Sequence, residues 1–142
     1  MKKLIVLIFL INAAMACDTK KVQEEDDHQF NTVQFDSPFK MSQKKGVQFE
    51  NDDLEIIFVG VSEDSRCPEG ATCFWEGQVT VDLQVKTKNN SESIQITRKG
   101  NQQENSIHQI GEHTIFLTAV NPYPKQGEAI KQEDYKISMI VR

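Results

Sequence analysis

The sequence predicts an all-β domain: an antiparallel immunoglobulin-like β-sandwich of about seven or eight strands, with a small open β-barrel as the competing closure. Three observations carry this. Apolar residues alternate at Val79, Val81, Leu83 and Val85, and again at Tyr135, Ile137, Met139 and Val141. A strand buried on one face requires that period of two. Turn chemistry separates the apolar runs, at Lys45-Gly46, Asn51-Asp52-Asp53, Lys88-Asn89-Asn90 and Lys99-Gly100-Asn101. Beyond the N-terminal segment, no window of eleven or more residues carries a helical stripe.

Taken in order, the first candidates are short: residues 32–35, 38–41 and 47–50. Residues 54–61 and 114–120 are nearly continuous apolar runs, as in central strands or at sheet ends. Residues 79–86 form the clearest alternating strand, and Ile94 and Ile96 mark a shorter one. Residues 99–111 are polar apart from Ile107 and Ile110 and read as a long loop. The final strand opens at Asp134-Tyr135. No repeat and no second domain is apparent.

Length and charge narrow the function classes. A chain of 142 residues suits one core. With 16 basic against 21 acidic residues it lacks the clustered cations that nucleic acid rewards, so no nucleic-acid partner is expected.

The N-terminus carries its own signal. Met1-Lys2-Lys3 precedes an unbroken apolar run from Leu4 to Ile11, and small residues follow at Ala13-Ala14-Met15-Ala16. The run is too short to cross a bilayer, and the order of charged, apolar and small segments is that of a secretory signal. Residues 1–16 are therefore assigned as signal peptide. Ala14-Met15-Ala16-Cys17 resembles a bacterial lipobox, with Ala14 where Leu is commonest, which implies lipid on the Cys17 thiol. Ordinary cleavage after Ala16 is the alternative. Removing Lys2 and Lys3 leaves 14 basic against 21 acidic residues, a side-chain charge of −7. Anionic headgroups would repel such a surface, so acyl chains would have to supply the attachment.

Residues 17–29 are polar and read as a flexible acidic tether. Glu24-Glu25-Asp26-Asp27 resembles the acidic export tag of some Bacteroidota surface lipoproteins, and a plain solvated linker accounts for it equally. Asp18 matches the inner-membrane retention signal of enteric bacteria, which points the other way. A lipid-anchored, extracytoplasmic protein of the bacterial envelope is expected, the outer membrane favoured and the leaflet open. The β-sandwich domain occupies residues 30–142.

If Cys17 carries lipid, Cys67 and Cys73 remain as a pair. Between them Pro68 and Gly70 favour a turn, and an exported protein meets oxidising conditions. A disulfide is expected; a metal pair or catalytic thiol would need partners that the neighbouring sequence lacks.

Asp64-Ser65-Arg66-Cys67-Pro68, followed by Cys73, Trp75 and Gly77, resembles a group of small bacterial exported proteins and lipoproteins of unassigned function. Asn121-Pro122-Tyr123-Pro124 and the strand from Asp134-Tyr135 are similar too. The resemblance implies compartment and fold but no activity.

Two readings of this loop follow from its residues. In the first, Asp64 and Arg66 tie the strand end to the stapled loop while Trp75 packs over the disulfide or core edge. In the second, Asp64, Arg66, Glu69, Phe74, Trp75 and Glu76 form a binding loop on a rigid scaffold.

Catalytic and cofactor motifs are missing. There is no G-x-S-x-G, H-E-x-x-H or P-loop, and no two of the seven glycines fall two apart. His108 and His113 with Glu104 or Glu112 match no common zinc spacing. Asp52, Asp53 and Glu55 lack the calcium-loop pattern. No catalytic residue, metal or cofactor is assigned. The expected function is a non-enzymatic binding or envelope role, with an unidentified protein partner possible. Its competitors are a secreted enzyme inhibitor or enzyme, and a metal- or ligand-binding module.

Overall fold

The computed structural model describes residues 30–100 and 106–142. Residues 1–16 and 17–29, expected as signal peptide and acidic tether, lie outside the described residues, as do Cys17 and Glu104. Nine strands follow in order: β1 Phe30–Val33, β2 Phe39–Ser42, β3 Gly46–Phe49, β4 Glu55–Asp64, β5 Gln78–Lys86, β6 Ser91–Lys99, β7 Ser106–Ile110, β8 His113–Asn121 and β9 Lys136–Val141. They form a β-sandwich of two open sheets, one ordered β1-β3-β4-β5-β6 and the other β2-β9-β8-β7. Among the described residues the only helix is a single 3-10 turn, Gln132–Asp134.

The alternating residues predicted to face inward do so. Val79, Val81, Leu83 and Val85 of β5 meet Ile137, Met139 and Val141 of β9 in one core, all of them buried, together with Phe49, Phe58 and Leu117. Burying side chains of this size contributes about 1.5–3 kcal/mol each, before the entropy of ordering them. On the other face of β5, Asp82 and Gln84 are partly solvated while Thr80 is buried, so a one-residue slip would move the apolar set off the core face.

Three details depart from the expectation. Among the described residues there are nine strands where about seven or eight were expected, because residues 106–110 form β7, paired with β8, in place of a loop. The strand has little apolar signal: Ile107 points to solvent and only Ile110 is buried. The sandwich is not antiparallel throughout, since β1 runs parallel to β3. The third detail is on β4, where the apolar run hides two register shifts against β5, at Phe58/Gly60 and Val61/Glu63. There the Gln132 side-chain amide takes the place of a neighbouring strand. Its Nε2 donates to the Val61 carbonyl at 2.7 Å and its Oε1 accepts from the Val61 N–H at 3.2 Å. A buried backbone pair is thereby satisfied across a bulge.

Candidate functional site

The candidate loop, residues 65–77, continues the β4–β5 hairpin beyond its last rung. The Ser65 N–H donates to the Gln78 carbonyl at 2.8 Å, and the Cys67 N–H to that of Glu76 at 2.9 Å. Gly77 makes this closure possible. Its φ is 72°, and a Cβ there would collide with the Ser65 carbonyl, so the approach demands glycine. Further out, Ala71 N–H donates to Pro68 O at 3.1 Å, with Gly70 at φ 85° inside the turn. Cys67 and Cys73 are joined by a disulfide across this turn, with Cα atoms 6.0 Å apart. The loop is also tied sideways: Glu69 forms a parallel bridge with Lys125, its N–H donating to the Pro124 carbonyl at 2.9 Å.

Beneath the loop lies a buried polar network. Arg66 donates through Nε to Asp64 Oδ1 at 2.8 Å and through Nη2 to Oδ2 at 2.6 Å. Its Nη1 reaches the Val120 carbonyl at 2.7 Å and Nη2 also reaches that of Pro122 at 3.0 Å. The Tyr135 hydroxyl donates to Asp64 Oδ2 at 2.9 Å, and the Tyr123 ring lies over the guanidinium, 4.9 Å from its centroid. Arg66 is only 5% exposed. One arginine thus joins the end of β4 in one sheet to the end of β8 in the other.

The electrostatics follow from this geometry. Burial alone would raise the Asp64 pKa, but the hydrogen bonds and charge of Arg66, with the Tyr135 hydroxyl, outweigh it and bring the carboxyl below its usual 3.8. Tyr135 is pushed up to about 12 by burial and by the adjacent Asp64 carboxylate. The network is therefore a carboxylate, a guanidinium and a neutral phenol at neutral pH.

The six candidate loop residues consequently separate into an inner and an outer group. Asp64 and Arg66 face inward and pair at the strand end, as in the first reading, and Arg66 in addition ties β4 to β8 of the other sheet. Glu69 is exposed and held through its backbone, and the exposed Glu76 lays its side chain against Gly100. Phe74 is fully exposed and Trp75 is 64% exposed. Trp75 therefore does not pack over the disulfide or core edge. The Cys67–Glu76 rung leaves residues 74 and 75 at the outer turn, and the ring that covers the foot of the loop is Tyr123.

Sequence reasoning missed the role of Tyr135 in this network. Its alternation placed the ring in the core, and a buried tyrosine needs a partner for its hydroxyl, which was the available signal. The carbonyls of Val120 and Pro122 had none, since any residue supplies them.

Elsewhere, Asp52 serves its own turn: Oδ1 accepts the Leu54 N–H at 3.0 Å, and Oδ2 lies 3.4 Å from His113, which stacks on Phe35. Among the described residues, no three His, Cys, Asp or Glu side chains are grouped to hold a metal ion. No protein-family model, curated protein or solved structure matches the chain.

Proposed function

We propose that this is an exported, lipid-anchored protein of the bacterial envelope with a non-enzymatic binding role, and that its contact element is the Phe74–Trp75 tip. The observation that carries the reading is the contrast within one loop. Its base is fixed by a disulfide, a cross-sheet arginine and a bridge to Lys125, while two large apolar side chains stand in water. Apolar groups held rigidly in solvent lose little further freedom on binding, which suits them to contact rather than to packing. The signal and lipobox-like segment support export, and the Cys67–Cys73 bond accords with an oxidising compartment. The resemblance to small exported proteins of unassigned function belongs to the same reading.

The test has two arms. Globomycin treatment or Cys17→Ser should abolish lipid labelling and release the chain from membranes; continued labelling contradicts the anchor. A photo-crosslinking side chain at position 74 should capture an envelope component, whereas one at Val59, exposed on β4, should not. Equal yields would contradict the assignment of the tip. The same braced loop also favours a second reading, a secreted inhibitor inserting the tip into an enzyme's cleft. Capture of a protease or other hydrolase at position 74 would select it.

A further inference from the structure

We infer that the surface met by Phe74 and Trp75 is the lipid bilayer itself, at the headgroup–acyl boundary, so that the domain rests on the membrane loop-end down. The inference rests on the anchored reading and adds an orientation to it. β3 is antiparallel to β4, and β1 is parallel to β3, with Phe30 opposite Gly46 and Gly46 opposite Ile57. Phe30 is therefore the end of β1 nearest the loop, and β4 runs seven residues further, from Ile57 to Asp64, to reach the loop. That is about 23 Å at ~3.3 Å per residue.

Thirteen residues, 17–29, separate the proposed anchor from the domain, and such a segment spans at most about 43–47 Å. The Cys67–Glu76 rung lies three residues beyond Asp64, about 33 Å past the level of Phe30. Cys17 can thus sit in the plane of the loop tip, and any lean of the domain toward its β1 edge shortens the requirement.

Tryptophan is enriched where headgroups meet acyl chains, because its ring is apolar and its N–H polar. Phe74 beside it supplies a fully exposed apolar ring. With a side-chain charge of −7 over residues 17–142, the domain suits a zwitterionic surface, and anionic lipid would weaken the contact.

Trp75 is the only tryptophan of the chain, so its fluorescence reports on the tip directly. The full mature chain, its Cys17 thiol coupled to a maleimide lipid in phosphatidylcholine–phosphatidylethanolamine vesicles, provides the test independently of natural lipidation. Trp75 should shift to the blue and lose much of its emission when the lipids carry brominated acyl chains. Replacing part of the phosphatidylcholine with phosphatidylglycerol should reduce both effects. Emission left at its solution wavelength and unquenched overturns the inference. So does protection that appears only when envelope proteins are added, since the occupant is then a protein. Intact mass of the chain from its native host reads the anchor separately: an unmodified Cys17 there would remove the anchored reading whatever the vesicles show.

Discussion

Arg66 grips Asp64 with both arms of its guanidinium, at 2.8 and 2.6 Å, and in the same posture reaches the Val120 carbonyl of the opposite sheet at 2.7 Å. A lysine could not reproduce this, because its ammonium is a point charge without the planar fork. The pair sits at the junction between the core and the loop, so the loop's rigidity and the domain's stability share one set of bonds.

Removing one member of that pair leaves a buried charge and two backbone carbonyls without their donor. Arg66→Leu should destabilise by about 3–5 kcal/mol, and Arg66→Lys should recover only part of this. Urea unfolding of the mature chain measures both. A loss below about 1 kcal/mol, the scale of an exposed ion pair, would contradict the network's role.

The same network sets a pH dependence with two legs. Asp64 titrates below its usual value in the folded chain. Its stabilisation is therefore present above pH 3.8 and is lost as pH falls through the lowered folded value. Tyr135 moves from 10.0 to about 12. Its share is complete below pH 10 and is lost as pH rises toward 12, because the unfolded phenol ionises first. Thermal melts across pH should show both declines, and Tyr135→Phe should flatten the alkaline one. An unchanged alkaline slope in that variant would contradict the assignment.

The disulfide closes a short loop. Cys67→Ser should cost about 2–2.5 kcal/mol in the chain-entropy treatment and leave Cys73 open to alkylation, while native protein with Cys17 blocked should take up no thiol reagent. Ready alkylation of native Cys73 would contradict the pairing.

Two glycines of the loop make a controlled comparison. Both have positive φ, 85° at Gly70 and 72° at Gly77, but open space surrounds Gly70 while the Ser65 carbonyl faces Gly77. Gly70→Ala should cost only the left-handed backbone penalty, about 1–2 kcal/mol. Gly77→Ala should cost clearly more, because the Ser65–Gln78 closure must open. Equal losses in denaturant unfolding would remove the argument that Gly77 is needed for close approach.

Much of the fold was legible because period-two burial is a local signal. β5 and β9 could be read from Val79 to Val85 and Tyr135 to Val141, and even the short β1, β2 and β3 were placed within two residues. β7 was not legible, since its hydrogen bonds are made by backbone and its side chains alternate between solvent and a single buried Ile110. Nor was the parallel pairing of β1 with β3, because strand direction leaves no mark on composition. Within the site, Asp64 and Arg66 stand two residues apart and their pairing could be anticipated. The outward placement of Trp75 could not, because a large aromatic residue beside a disulfide reads as packing, and its 64% exposure is set by the loop's path in space.

The disulfide-braced loop holds its aromatic tip in solvent, and time-resolved fluorescence of Trp75 with added iodide reads both its exposure and its rigidity. Red-shifted emission, ready quenching and an anisotropy decay dominated by tumbling of the whole domain are expected. An indole shielded from iodide, or one rotating freely on a loose loop, would contradict this arrangement.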